Sequence, residues 1–268
     1  MTTQSKGTAL ITGASSGMGA VYADRLARRG YDLIIVARNR GKLDQLATRL
    51  TNETKRSVEV LPADLNDKGD LARVTATLKN DASITLLVNN AGIGTFAPLL
   101  NSDVNKMEEM ISLNVSALTR LTYAAVPGFV ARGTGTIINI SSIVAISPEM
   151  LNGVYGGSKA YVLAFSHSLQ HELAPKGIRV QAVLPGVTAT NFWDAGGLPV
   201  HNLPSELVMT TENLVDAALS GLDQGELVSI PALPDKAEWD RFEAARRDMS
   251  TRLSRTSPAA RYGIKALA

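Results

Sequence analysis

A tyrosine and a lysine stand four positions apart at Tyr155 and Lys159, a spacing that puts both on one face of a helix. There the ammonium can favour the phenolate and lower a pKa that is about 10 in free tyrosine, so the phenol becomes able to exchange a proton with a substrate oxygen. The spacing is common by itself and gains meaning from Ser142, thirteen residues earlier at the end of an apolar strand. The carboxyl edge of such strands is where open α/β sheets bind ligands. A second constellation, Thr12-Gly13-Ala14-Ser15-Ser16-Gly17-Met18-Gly19, follows the first strand and runs straight into a helix. Glycines there let the backbone turn sharply and approach a diphosphate, which sits on the unpaired amides of the helix N-terminus. The third is Val36-Ala37-Arg38-Asn39-Arg40 after the second strand. An NAD site usually places an acid there for the ribose hydroxyls, but here Ala37 holds that place. Arg38 can instead clamp a 2′-phosphate by charge-assisted hydrogen bonds, with Ser15 and Arg40 as helpers. The bland alternative is a surface arginine at a strand end. The cofactor expected is NADP(H), with NAD(H) as second choice.

These residues need a scaffold, and the pattern supplies one. Short β-branched runs alternate with helical patterns punctuated by Gly, Asn, Asp or Pro. Strands are predicted at Thr8–Thr12, Asp32–Ala37, Val58–Pro62, Ile84–Asn89, Thr136–Ser141, Arg179–Leu184 and Leu227–Ile230. Helices are predicted at Gly17–Arg29, Gly41–Asn52, Lys68–Lys79, Val154–Ala174, Thr211–Leu222 and a long stretch Asp103–Arg132 interrupted near Pro127. Runs such as Leu33-Ile34-Ile35-Val36 are apolar on both faces, as in a parallel sheet covered on each side by helices. Right-handed crossovers then give a doubly wound, seven-stranded parallel α/β sheet. Val187–Pro204, with Gly196, Gly197, Pro199 and Pro204, reads as a long loop suited to a lid. Beyond Ile230 the prolines Pro231, Pro234 and Pro258 bracket a helix over Lys236–Arg252. The division expected is residues 1–230 as the dinucleotide-binding and catalytic domain and 231–268 as a helical extension.

The order and spacing of several motifs resemble the short-chain dehydrogenase/reductase family over nearly all of residues 7–230. The matching elements are Thr12-Gly-x3-Gly-x-Gly19, Asp64 after the third strand, Asn90-Ala91-Gly92 after the fourth, Asn114, Ser142, Tyr155-x3-Lys159 and Pro185-Gly186. The resemblance implies hydride transfer between a nicotinamide and a carbonyl or alcohol carbon. Tyr155 would be the general acid or base, Ser142 would hold the substrate oxygen, and Lys159 would bind the nicotinamide ribose and lower the Tyr155 pKa. Asn114 would support a water leading to Lys159. Gly13, Ser15, Ser16, Gly17, Met18 and Gly19 would cradle the diphosphate, and Asp64 and Leu65 would flank the adenine. Asn90, Ala91 and Gly92 would pass beneath the ribose, Pro185 and Gly186 would border the cofactor, and Thr188 would meet the carboxamide. One departure is Gly156-Gly157 at the start of the catalytic helix, about 1 kcal/mol each in helix propensity. Either the backbone packs closely on substrate or cofactor there, or the first turn is loose.

Composition removes other classes. With no cysteine in 268 residues there is no disulfide scaffold, no thiolate zinc site and no thiol nucleophile. The four-residue spacing of His167 and His171 invites a metal, but no carboxylate motif joins them, so no metal is expected. A net charge of +2 is too small to argue for nucleic acid or a membrane surface. The cations of the tail, Arg246, Arg247, Arg252, Arg255, Arg261 and Lys265, face only Asp248 and read as a solvated face. No apolar stretch approaches the ~20 residues of a membrane span, and the polar N-terminus lacks the order of a secretory signal, which predicts a cytoplasmic protein. The family resemblance implies a homodimer or homotetramer. The substrate is read as mainly apolar, met by Ile143–Ile146 with Val144, by Met150 and Leu151, and by Phe192 and Trp193 in the long loop. Two other readings stand beside the oxidoreductase. One is a dinucleotide-binding regulatory or scaffold protein without turnover; the other is a sugar-nucleotide epimerase, which needs a larger C-terminal domain than the residues after Ile230 provide.

Overall fold

Strands apolar on both faces must be covered twice. The computed structural model, which describes residues 6–190, 192–193 and 199–264, covers them with helices on each side. The strands are β1 (Thr8–Thr12), β2 (Asp32–Ala37), β3 (Val58–Pro62), β4 (Ile84–Asn89), β5 (Gly135–Ile140), β6 (Ile178–Val183) and β7 (Val228–Ser229). They form one parallel sheet in the order β3-β2-β1-β4-β5-β6-β7. Five consecutive residues of β1 are buried, whereas β3 at the edge exposes Glu59.

The main helices are α1 (Gly17–Arg28), α2 (Arg40–Thr54), α3 (Lys68–Asn80), α4 (Val104–Ile111), α5 (Leu118–Arg132), α6 (Gly153–Leu173) and α7 (Thr211–Asp223). On one face Tyr22, Leu26, Leu43, Leu50, Leu214 and Leu219 from α1, α2 and α7 pack on Ile11, Ile35 and Val88. On the other, Val74, Leu78, Leu121, Phe129 and Leu169 from α3, α5 and α6 pack on Leu10, Ile34 and Leu87. Each fully buried Leu or Ile contributes about 1.5–3 kcal/mol of transfer free energy, so these two layers hold the sheet without a cross-link. Asn39, Asp67, Asp103, Asn152 and Thr210 cap α2, α3, α4, α6 and α7 by accepting backbone N–H groups. Ser16, ahead of α1, makes no such side-chain bond.

The long helical stretch is interrupted elsewhere than expected. Pro127 lies inside an unbroken α5, where it removes one backbone hydrogen bond from a helix that its packed face still holds. The interruption is a π-helical turn, Ser112–Ala117, between α4 and α5, with Asn114 buried within it. Such a turn widens the helix at one point and re-aims the side chains it carries.

The chain divides into two compact units, one running through Ala232 and one from Leu233. In the second, α8 (Lys236–Ser250) is capped by Asp235. Its Trp239 and Phe242 rings lie 5.2 Å apart, and Arg246 grips the Glu243 carboxylate with two bonds of 2.9 Å.

Candidate active site

The sheet order reverses between β1 and β4, and the loops after those strands part to leave a crevice. Thr12 Oγ1 accepts the Asn90 and Ala91 N–H groups, both at 3.0 Å, and donates to Val88 O at 3.2 Å. The Asn90 amide donates back to Thr12 O at 2.9 Å and Gly13 O at 3.2 Å. The two loops are thereby one piece, and Asn90's side chain is committed to holding them. Gly13 has φ +66°, and a Cβ on it would stand 2.7 Å from Asn90 Nδ2. A Cβ on Gly19 would collide with Gly13 O. Only glycine permits this close packing, which leaves the first amides of α1 open toward the crevice.

Across the crevice, β5 ends beside α6. Asn152 Oδ1 accepts the N–H groups of Val154 at 2.9 Å and Tyr155 at 3.3 Å, which fixes the first turn of α6. Tyr155 and Lys159 are both buried there. Lys159 Nζ donates to Ile140 O at 2.9 Å and lies 5.8 Å from the centre of the Tyr155 ring. Ser141 Oγ donates to Lys159 O at 2.7 Å, tying the strand end to the helix. Asn114 takes both backbone polar groups of Ile93, accepting from its N–H at 3.0 Å and donating to its C=O at 2.9 Å. It also donates to Ser158 Oγ at 3.1 Å, and Ser158 donates to Tyr155 O at 2.8 Å. Gly92 lies between these groups: a Cβ on it would stand 3.2 Å from Asn114 Oδ1 and 3.5 Å from Lys159 Nζ.

The electrostatics depart from the expected lowering of the Tyr155 pKa. Burial pushes the phenol up to about 12, and the Ser142 hydroxyl beside it draws it down only in part. Burial brings the Lys159 ammonium down to about 8. Desolvation penalises whichever form is charged, so it moves an acid and a base in opposite directions.

A cavity of about 920 Å³ joins the two halves. Gly13, Ser16, Gly17, Met18, Arg38, Asn90, Ala91 and Gly92 line it from the strands that bear the glycine loop and its neighbours. Ser142, Tyr155, Lys159, Pro185, Gly186 and Thr188 line it from β5, α6 and the segment after β6. Val144, Met150, Phe192 and Trp193 complete an apolar part. Five expected site residues stand outside this lining. Gly19 is packed under Gly13, and Asn114 stands behind Ile93. Leu65 is a core residue of the α3 layer, the Asp64 N–H is held by Asp70 at 2.8 Å, and Ser15, within the glycine loop, is not among the lining residues. Arg40 also lies outside and pairs with Asp44 at 3.6 Å.

The apolar wall has aromatic order. Trp193 stacks on Phe96 at 4.9 Å with an interplanar angle of 3°, and its Nε1 donates to Thr188 O at 2.8 Å. Phe192 stands edge-on to both rings and 5.6 Å from the Tyr155 ring. It can do so because residue 94 is glycine; a Cβ there would strike the Phe192 ring. The base of the long loop is pinned where the Ala189 N–H donates to Met209 O and the Met209 N–H donates to Val187 O, each at 2.9 Å. Residues 191 and 194–198 of the expected lid lie outside the described residues. Gly156 and Gly157 answer the question their sequence raised in two ways. A Cβ on Gly156 would press on Pro148 at 3.1 Å, while one on Gly157 would meet nothing within 4 Å. Among the described residues, no three His, Cys, Asp or Glu side chains are grouped to hold a metal, and no helix is long and apolar enough to cross a membrane.

Gly94, Met107 and Met110 line the cavity, and Phe96, Asn152 and Ser158 contact the lining residues Trp193 and Tyr155; the sequence singled out none of the six. Only Asn152 carried a local signal, as a capping residue directly ahead of an apolar helix.

Comparison with known proteins matches this geometry. The profile of the short chain dehydrogenase family covers residues 7–196. A short-chain dehydrogenase from Sphingobium yanoikuyae, solved in complex with NADPH, is 47% identical and superposes with a TM-score of 0.92 over 94% of this chain and 98% of its own. The bulky-bulky ketone specific alcohol dehydrogenase from Comamonas testosteroni is 43% identical, with a TM-score of 0.89 over 97% of this chain and 99% of its own. A very-long-chain 3-oxoacyl-CoA reductase from Anas platyrhynchos is 37% identical over 189 residues, 69% of this chain. The match spans 60% of that reductase's length.

Proposed function

The chain belongs to the short-chain dehydrogenase family, and from that premise we propose that it reduces a bulky, mainly apolar ketone, or oxidises the matching secondary alcohol, with NADP(H). The observation that carries the proposal is the convergence of Ser142, Tyr155 and Lys159 on the same cavity as the glycine loop and Arg38. When bound, NADPH supplies the hydride from its nicotinamide ring. The residues present fit it: the Gly13–Gly19 turn lets the diphosphate approach the open amides of α1, and Arg38 offers a guanidinium where no acid opposes a 2′-phosphate. The Sphingobium relative binds NADPH, which supports the same preference here.

As the carbonyl carbon gains the hydride, its oxygen becomes an alkoxide. Ser142 holds that oxygen, and the Tyr155 O–H bond breaks to give it a proton. With its pKa raised by burial, Tyr155 is fully protonated at neutral pH and in the right form to donate. The phenolate left behind is stabilised by the Lys159 ammonium, which Ile140 O holds in place, while Asn114 steadies the Tyr155 backbone by way of Ser158. The rings of Phe192 and Trp193, the latter backed by Phe96, and the thioethers of Met107, Met110 and Met150 line the cavity and match flat or branched apolar substituents. The Comamonas relative, specific for bulky-bulky ketones, favours that substrate class. The family likeness also carries the expectation of a homodimer or homotetramer, checked by light scattering.

Tyr155→Phe keeps the ring and removes the proton. The expected result is a fall in kcat of at least ~10²-fold with NADPH affinity little changed, followed by NADPH absorbance with ketones, aldehydes, 3-oxoacyl thioesters and secondary alcohols. Turnover like that of the wild type would remove Tyr155 from the mechanism. NADPH binding with no substrate turned over would leave the non-catalytic, dinucleotide-binding reading in its place.

A further inference from the structure

The segment Ile93–Ala97, between β4 and α4, is neither helix nor strand, yet Ile93, Gly94, Thr95 and Ala97 line the cavity. A Cβ on Gly94 would stand 3.2 Å from Tyr155 Cδ2, so this wall runs directly beside the acid. Without a regular backbone ladder it must be held by side chains. Its first end is held by Asn114 through both backbone polar groups of Ile93. Its far end is held by Asn152, whose Nδ2 donates to Ala97 O at 2.8 Å.

Asn152 is buried and uses both ends of its carboxamide. The oxygen holds the backbone of Val154 and Tyr155 while the nitrogen holds the wall. A planar amide cannot shift one end without the other, so the height of the wall and the place of Tyr155 are set together. We propose that Asn152 is a positioning residue that couples the substrate-side wall Ile93–Ala97 to the first turn of the catalytic helix, and so helps to fix the size of ketone that can reach Tyr155. The inference rests on the reduction proposed above for its kinetic consequence, but not for its structural one.

The two ends can be cut separately. Asn152→Ser keeps a capping hydroxyl that is too short to reach Ala97, Asn152→Asp keeps the cap and turns a carboxylate oxygen toward a carbonyl, and Asn152→Ala removes both contacts. Losing one hydrogen bond to the wall should raise KM for a diaryl ketone about 3- to 10-fold in the Ser and Asp variants. Their kcat should stay within about 2-fold of wild type, a split that marks a binding effect. KM for acetone, which offers the wall far less surface than a diaryl ketone, should rise much less. Asn152→Ala should add a loss in kcat of about 10-fold or more, because the turn bearing the acid is released, and the Ser and Asp variants restore it. NADPH affinity should be unchanged in all three.

Hydrogen exchange gives a readout that needs no turnover. Asn152→Ser should speed exchange at residues 93–98 and leave 153–156 as in wild type, whereas Asn152→Ala should speed both. Unchanged exchange at 93–98 in the Ser variant, or equal rises in KM for acetone and the diaryl ketone, overturns the proposal. A wild-type enzyme that reduces no ketone overturns the proposed activity instead, and the exchange measurement still decides the role of Asn152.

Discussion

Burial favours the neutral form of both Tyr155 and Lys159, and in the proposed reduction this sets the pH range over which the pair delivers a proton. In that reaction the phenol, pushed up to about 12, stays protonated through the working range, so the group expected to limit the rate at high pH is the lysine, brought down to about 8. Below that value Lys159 is an ammonium and can stabilise the departing phenolate; above it the support is lost. For ketone reduction, kcat/KM should therefore be flat from about pH 6 to 7 and fall about tenfold per pH unit well above 8. Lys159→Arg, whose guanidinium stays charged, should lose that break at whatever rate it retains. A wild-type profile flat to pH 10 would place the controlling ionisation elsewhere. Arg38 is the other residue that acts alone, since Arg40 is paired on α2 and stands away from the cavity. A hydrogen bond to a charged group contributes about 1.5–3 kcal/mol, so Arg38→Ala should weaken NADPH binding by roughly 10- to 100-fold. NADH should bind as before, because it lacks the phosphate. Equal weakening of both cofactors in isothermal titration would make Arg38 an ordinary surface arginine.

Elements here are fastened from outside the core as well as through it. Asp24 on α1 is buried, and three arginines reach it: Arg25 at 2.7 Å, Arg28 at 3.1 Å and Arg49 of α2 at 3.3 Å. Arg25 continues to Asp216 of α7 at 2.7 Å, which joins the three helices of one face. Burial alone would raise the Asp24 carboxyl, but the hydrogen bonds from Arg28, Arg25 and Arg49 outweigh it and hold the group below the ordinary carboxylate range. A depressed folded-state pKa contributes stability above the unfolded value of about 3.9 and loses it as pH falls through the folded value. Asp24→Asn should therefore cost about 1–3 kcal/mol near pH 7, and its stability should converge with that of wild type in urea melts taken toward pH 3 and below. A constant difference across that range would mean that the amide fails for shape and not for charge. The sequence made the helices legible because their apolar spacing and caps are local. The π turn at Ser112–Ala117 left no such mark, because one extra residue in a turn does not disturb the pattern until the register has already slipped. Pro127 gave a local breaker signal that the packing of α5 overrode.

At the scale of the molecule, the sheet and the position of the glycine loop, Ser142, Tyr155 and Lys159 could be read from the chain. Each sits at a strand end or helix start that its own neighbours announce. Phe192 and Trp193 were legible as adjacent aromatics in the long loop, but Phe96 was not, since only the fold brings it into a stack with Trp193. The same holds for Gly94, whose meaning depends on where Phe192 ends up, and for Asp64 and Leu65, which share the family's spacing but stand outside the cavity lining. Sheet order has a further consequence for a chain being made on a ribosome. Strand β1 finds β2 early, pairing Thr8 with Asp32, but its other neighbour is β4, which pairs Thr8 with Ile84. While the intervening residues are being translated, β1 stands at the border of a half-sheet, with the peptide groups of Thr8–Thr12 bare on one side. A bare strand border can recruit another chain, so a translational pause before Ile84 is expected to raise co-translational aggregation of chains on one messenger, measured as pelletable nascent protein.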